Sequence, residues 1–304
     1  QESDHSTNSG GKMSENNIEI KDARKRSPWR DVWHSLKNNK SALFGMAIIF
    51  LLFFFAITAD FIAPYGIDEQ NLALGIVKPG SGYPMGTDNF GRDIMSRIIH
   101  GSRISLMVGF VSVSISLLIG GSLGAIAGFF GGKLDNTIMR IMDVLLAIPS
   151  ILLAISIVSA LGPGLVNVMI AVGISSIPSY ARIVRASVIT LKDQEFIEAA
   201  KAVGTSNFRI IAKHLIPNSL APIIVQATLG VAGAILSAAG LSFIGLGIQP
   251  PTPEWGAMLS TGRQYIRDYP HITAFPGLAI MITIFGLNLF GDGLRDALDP
   301  RLKN

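Results

Sequence analysis

Five stretches of this chain contain no Asp, Glu, Lys or Arg: Ser41–Ala59, Ile104–Gly132, Val144–Ala181, Leu215–Pro253 and Ile272–Gly291. A helix that crosses a bilayer needs about 20 predominantly apolar residues, and each stretch is of that length or longer. Only 15% of the residues are charged, against roughly 25% in a soluble domain. The deficit falls in these runs, so the chain is expected to sit in a membrane.

Two of the stretches are too long for one crossing. The third carries Gly162, Pro163 and Gly164 near its middle. Proline lacks a backbone donor and glycine ends helices, so a turn is expected there, between helices over Met139–Ala160 and Leu165–Arg182. The fourth reads as a helix from Asn218 to Ala239, followed by Leu241–Gly247 as a short apolar return. The total is an all-α polytopic membrane protein with six transmembrane helices.

Residues 1–40 are polar and read as a flexible cytoplasmic tail. Met13 is a candidate start, which would make Gln1–Lys12 a non-native leader; the sequence leaves this open. The basic run Arg24–Arg26 precedes the first apolar stretch without a small-residue cleavage site, so that stretch reads as an anchor that stays. Basic residues set the orientation. With the N-terminus inside, 19 of the 25 Lys and Arg residues fall on the cytoplasmic side and six, Lys78, Arg92, Arg97, Arg103, Arg263 and Arg267, outside. That is the asymmetry the positive-inside rule describes, and it places both ends in the cytoplasm. The organisation is then a tail (1–40), a first span (41–62), an external segment (63–103), a five-helix core (104–292) with a cytoplasmic loop (186–217), and a cytoplasmic C-terminus (293–304).

Catalytic machinery is hard to find. Cysteine is absent, which removes thiolate chemistry. Gly132-Lys133 approaches a phosphate-binding loop, but Ala127 and Leu134 break the pattern at both ends. The five histidines are scattered. Of the 21 carboxylates only Asp143 falls inside a span, one turn from Arg140, with which it can pair at i, i+3. A proton-coupled carrier needs an ionisable group near the midplane, and none is present. Energy must come from elsewhere, or the pore is passive; a secondary transporter or channel, and a membrane-embedded enzyme or scaffold, are the rival readings. Asn167, Gln226 and Asn288 are polar residues within spans and candidates to line a pathway or to bond between helices.

The longest internal cytoplasmic segment runs from Leu191 to Asn218. Gln194–Val203 is a good helix former closed by Gly204. Ser206 can cap a second helix, Asn207–Leu215, which Pro217 stops. Phe196, Ile197, Ala200 and Val203 form an apolar stripe on what is either a compact knob below the membrane or a helix on the lipid surface. On the other side, Phe90, Ile94, Met95, Ile98 and Ile99 suit an amphipathic helix, with Asp93 and Arg97 able to pair at i, i+4. It reads as an interfacial cuff or as a contact for a soluble partner. Gly120, Gly121, Ser122, Gly124 and Gly128, and later Gly230, Gly233 and Ala234, suit close helix packing.

At Glu198-Ala199-Ala200, Gly204 and Ile216-Pro217 the chain resembles permease subunits of binding-protein-dependent ATP-binding-cassette importers. The resemblance extends through Met85–Ile94 (MGTDNFGRDI), Leu241–Gly256 (LSFIGLGIQPPTPEWG) and Gly291–Pro300 (GDGLRDALDP), which look like segments of the dipeptide, oligopeptide and nickel permeases of the C type. It implies the type I ABC importer permease fold in a bacterial or archaeal plasma membrane. It also implies a coupling helix from Phe196 to Lys201 (Phe196, Ile197, Glu198, Ala199, Ala200, Lys201), its elbow at Gly204 and the loop's close at Pro217. The implied partners are a second homologous permease, two ATPase subunits that hold ATP and Mg, and an external solute-binding protein. No nucleic acid is implied, and no cofactor on this chain.

Overall fold

The computed structural model describes residues 28–80 and 82–298. Its helices, in order, are α1 (Pro28–Asn38), α2 (Lys40–Ile62), α3 (Ile94–Phe130), α4 (Gly132–Leu146), α5 (Ser150–Leu161), α6 (Leu165–Leu191), α7 (Glu195–Ala202), α8 (Asn207–Ile210), α9 (Ile216–Asn218), α10 (Leu220–Phe243), α11 (Trp255–Gly262) and α12 (His271–Leu298). Among the described residues, β structure is limited to isolated bridges joining Gly80 to Tyr83 and Thr87 to Asp93. Five helices, α2, α3, α6, α10 and α12, are long and apolar enough to span a membrane, and α4 with α5 makes a sixth, bent by 86°.

That bend corrects the expected helix over Met139–Ala160. Pro149 brings no N–H and pushes Ile148 away from the helical region, so the ladder stops at Leu146 and restarts at Ser150. The turn at Gly162–Gly164 is where it was expected, and both glycines hold positive φ (89° and 147°). Asp143 does not pair with Arg140. It meets Arg182 of α6 at 2.6 Å, and eight residues earlier Asp135 accepts two bonds from Arg185 (2.6 and 2.7 Å). Two ion pairs thus tie α4 to α6 through a register that depends on the fold.

Two further corrections concern the ends. Residues 28–38, expected in a flexible tail, form α1, whose Val32 and Leu36 bury against Leu294 and Ala297 of α12; residues 1–27 lie outside the described set. The last helix, expected to stop near Gly291, continues to Leu298. Arg295 and Asp296 are exposed along it while Leu294 and Ala297 pack inward, an i, i+3 spacing that keeps one apolar stripe on α1. Asp299 and Pro300 lie beyond the described residues.

The strongest seam joins α3 to α6. Gly120, Gly124 and Gly128 recur every four residues, and a Cβ at each would run into the backbone carbonyls of Ile177, Ala181 and Arg185 respectively. The absence of side chains lets the two backbones touch. Ser112 and Ser116 of α3 reinforce the seam by donating to the carbonyls of Met169 (3.1 Å) and Gly173 (2.7 Å) on α6. A second close seam sets Gly45 of α2 against Gly286 and Phe290 of α12. The main core gathers Val108, Val158, Val172, Ile235 and Leu241 from α3, α5, α6 and α10. The start of α2, the ends of α3, α6 and α12, and the start of α10 meet at the end of the bundle that carries α7.

Candidate functional site

Glu195 and Glu198 lie in the first turn of α7 and Lys201 in the last, each sign suited to the helix dipole. The helix closes in a Schellman motif: Thr205 N–H donates to Ala200 (3.0 Å) and Gly204 N–H to Lys201 (2.9 Å). Gly204 sits at φ +76°, a conformation that glycine adopts without strain.

The expected apolar stripe divides. Ile197 (0% exposed) and Ala200 pack into a core with Ala125 of α3, Val184 and Val188 of α6, and Ile223 of α10. Phe196 is 41% exposed and Val203 80%. Glu198, Ala199, Lys201, Gly204 and Pro217 are exposed as well. Lys201 holds its ammonium 5.8 Å from the centre of the Phe129 ring at the end of α3. The knob is therefore fastened to three long helices by one face and open on the other. Phe208 of α8, in the same loop, is 82% exposed and has no counterpart among the sequence candidates. One apolar residue in a polar loop carries no periodic signal.

Beyond Gly204 two details differ from expectation. Ser206 occupies the N-cap position of α8, but its side chain makes no capping bond. Pro217 does not end the second helix. The chain widens into a π turn over Ile211–Leu215, with Ile216 N–H reaching back to Ile211, and continues through Pro217 to Asn218. A proline ring crowds the carbonyl four residues earlier, and a π turn relieves that crowding.

Higher in the bundle a cavity of about 200 Å³ opens between α3, α5, α6 and α10. Its lining includes Ser112, Ser116, Ser150, Ser176, Ser179, Gln226 and Ser237 and no charged residue, although the Ser112 and Ser116 hydroxyls are turned to the α6 carbonyls. Tyr180 closes one side: its hydroxyl lies against Gly230, where a Cβ would strike it. Gly233 faces open space. Of the three polar candidates from the sequence, only Gln226 lines the cavity. Asn167 donates instead to the carbonyls of Leu161 and Gly162 (3.0 Å each) and secures the turn there, while Asn288 is exposed on α12. The serines escaped notice individually, although Ser112/Ser116 and Ser176/Ser179 repeat at i, i+4 and i, i+3, the spacing of one helix face.

At the opposite end the segments Met85–Ile94 and Leu241–Gly256 meet. Asp88 folds the first: its Oδ1 accepts from the N–H groups of Phe90 (2.8 Å) and Arg92 (3.1 Å), and its Oδ2 accepts from Arg92 Nε (2.7 Å). Asp93 does not pair side chain to side chain with Arg97. It caps α3 by accepting from Ser96 N–H (2.7 Å) and O–H (2.6 Å). Arg97, 3% exposed, reaches the carbonyls of Ile67 (3.3 Å) and Pro251 (3.2 Å). Trp255 donates to Ile98 (3.1 Å) and is 1% exposed. Glu254 caps α11 through two N–H bonds of 2.8 Å, and burial raises its carboxyl pKa above the ordinary value. Residues 94–99 are the first turns of a continuous 37-residue helix rather than a separate element, with Ile94 and Ile99 buried.

A family model described as binding-protein-dependent transport system inner membrane component matches residues 120–304, more than half of the chain. The chain belongs to this family. Residues 27–78 of the permease match a second model, the N-terminal TM domain of oligopeptide transport permease C. The permease is 51% identical over 278 residues to the dipeptide transport system permease protein DppC of Alkalihalophilus pseudofirmus, covering 91% of each chain. It is 44% identical over 289 residues to the glutathione transport system permease protein GsiD of Pectobacterium atrosepticum, covering 94% of this chain and 95% of that one. A chain of the MetNI methionine ABC transporter, solved in inward-facing conformations, shares the fold. The TM-score is 0.56 at 21% identity, over 68% of the permease and 98% of that chain.

The open space at Gly233 makes the cavity testable. A Cβ at Gly233 meets no atom within 4 Å, so Gly233→Trp starts its side chain in open space, and is expected to cut uptake at least tenfold while leaving the folded amount of permease unchanged. Transport at the wild-type rate would remove the cavity from the solute's route.

Proposed function

We propose that this permease forms half of the pathway of an ATP-driven importer for dipeptides, oligopeptides or related small solutes. The proposal puts the α7 end in the cytoplasm, together with both chain termini. A second, homologous permease completes the pathway, and a soluble binding protein delivers the solute at the other end. Two ATPase subunits dock on the knobs and hold the ATP and Mg; this chain performs no catalysis and takes no cofactor. Phe196, Glu198, Ala199 and Lys201 form the docking face, Ile197 and Ala200 anchor it, Gly204 turns the chain, and Pro217 returns it to α10.

The observation that carries this reading is the shared core beneath α7. Its buried face packs on α3, α6 and α10, and the same three helices supply most of the serine cavity. A displacement of the knob therefore moves the walls of the cavity, because a packed core transmits displacement with little compression. The charge-free, hydroxyl-rich lining suits a solute class with variable side chains, since serines offer hydrogen bonds without selecting a sign of charge.

Orientation is checked with single cysteines, since these 304 residues contain none. Lys213→Cys, exposed on the same loop as α7 but outside the docking face, is expected to react with a membrane-impermeant maleimide in inside-out vesicles and not in intact cells, and Tyr83→Cys the reverse. The opposite pattern would overturn the orientation.

A further inference from the structure

The loop between α2 and α3 folds over the start of α3, at the end of the bundle away from α7. It encloses a cleft of about 160 Å³ lined by Tyr65, Glu69, Gln70, Asn71, Tyr83 and Asp93. The lining includes no Lys, Arg or His. The Tyr65 and Tyr83 rings stack at 5.3 Å, inclined by 21°, and form one wall. Glu69 uses one carboxylate oxygen to accept from Gly66 N–H (3.1 Å), which leaves the other available.

Asp93 gives the cleft its demand for a ligand. The residue is 3% exposed. Its Oδ2 is taken by Ser96, and its Oδ1 has no partner. The nearby guanidinium groups turn to other partners: Arg92 bonds Asp88, and Arg97 bonds the carbonyls of Ile67 and Pro251, its unbonded Nε lying 3.7 Å from Asp88 Oδ2. A buried carboxylate with an unbonded oxygen is costly; Asp93 is one of the cleft's lining residues, and its charge adds to that of Glu69 beside the aromatic wall. Among the described residues no group of three His, Cys, Asp or Glu side chains is placed to hold a metal ion. Two carboxylates, amide oxygens from Gln70 and Asn71, and stacked phenols suit an organic cation, which gains from charge-assisted hydrogen bonds and from the ring faces together.

We propose that this cleft receives a cationic side chain, a lysine ammonium or an arginine guanidinium, presented by the solute-binding protein when it docks. This rests on the orientation and the delivery step proposed above, which bring that protein to this end. A charged pair at the rim of an interface acts mainly on encounter and on salt dependence, so the cleft would set both recognition and alignment.

The test uses the complete transporter in lipid nanodiscs and measures binding-protein affinity at low and high salt. Glu69 is exposed and outside the coupling machinery, so Glu69→Gln and Glu69→Lys are expected to fold and to keep the basal ATPase rate. Affinity should fall roughly fivefold for Glu69→Gln and further for Glu69→Lys, with a flatter salt dependence. One Lys→Glu or Arg→Glu change on the binding protein should restore affinity for Glu69→Lys. Unchanged affinity in both variants, with wild-type ATP-driven uptake intact, would overturn the cleft's role while leaving the proposed function standing. Saturable binding of free argininamide to the nanodisc complex, with binding-protein affinity unaffected by either variant, would overturn it in favour of a small-molecule site. Absence of uptake by the wild-type complex would instead count against the proposed function.

Discussion

Replacing Val203 and Phe208 together with aspartate is expected to abolish ATP-driven uptake while leaving the permease folded and in the membrane. Both side chains are more than four-fifths exposed or close to it, at 80% and 82%, so neither supports this chain's own core. If an ATPase subunit covers them, each contributes roughly 1.5–3 kcal/mol of burial. Losing both weakens docking by about 3–6 kcal/mol, a hundredfold or more at about 1.4 kcal/mol per decade. The measurement is uptake and transport-stimulated ATPase activity in proteoliposomes, with thermal stability of the permease as the control. Ile197→Asp would give the same loss for another reason, because Ile197 is wholly buried and a charge there breaks the knob from its core. Gly204→Val is expected to act more mildly. No atom lies within 4 Å of a Cβ at Gly204, so its cost is the left-handed conformation alone, about 1–2 kcal/mol. Wild-type uptake in the double aspartate variant would detach the open face of the knob from coupling.

Gly124→Leu is the second large effect, and it strikes the fold. A side chain at this position meets the Ala181 carbonyl of α6, which is backbone and cannot rotate away. Overpacking a core costs about 1–3 kcal/mol, and a collision with backbone in the principal seam falls at or above the top of that range. The expected result is a melting temperature lower by roughly 6–12 °C and a loss of monodisperse complex after extraction. Gly121→Ala, three residues earlier, is the contrast. Its nearest neighbours are the Leu117 and Val184 side chains at 3.4 and 3.7 Å, so it should melt close to wild type. Equal melting temperatures for the two variants would mean that the α3–α6 seam does not depend on backbone contact.

The spans were legible because lipid imposes a length and a composition on any helix that crosses it, and both are visible residue by residue. The knob's helix and glycine elbow were legible for a local reason: Glu195 through Ala202 is a run of good helix formers, and Gly204 fits the turn that closes it. Pro149 was legible in principle, since it has the same chemistry as the breaker at Pro163, but without flanking glycines it did not stand out. The pairings were not legible. Asp143 has Arg140 close by in sequence and Arg182 close by in space, and only the register of α4 on α6 decides between them. The serine cavity likewise needs four helices to be rotated correctly before its hydroxyls face one another. Nor could composition reveal that Asp88, Arg92 and Arg97 are buried, because charges near a span end read as water-facing until a loop is known to cover them.

The account turns on what covers the open face of α7. Ala199 is exposed on that face, away from the buried Ile197 and Ala200. A photo-reactive amino acid at Ala199, irradiated in membranes that contain the whole transporter, tests the claim most directly. The account predicts one dominant adduct, with the ATPase subunit, whose yield changes when nucleotide is added. Adducts with lipid alone, or with the second permease alone, would contradict it.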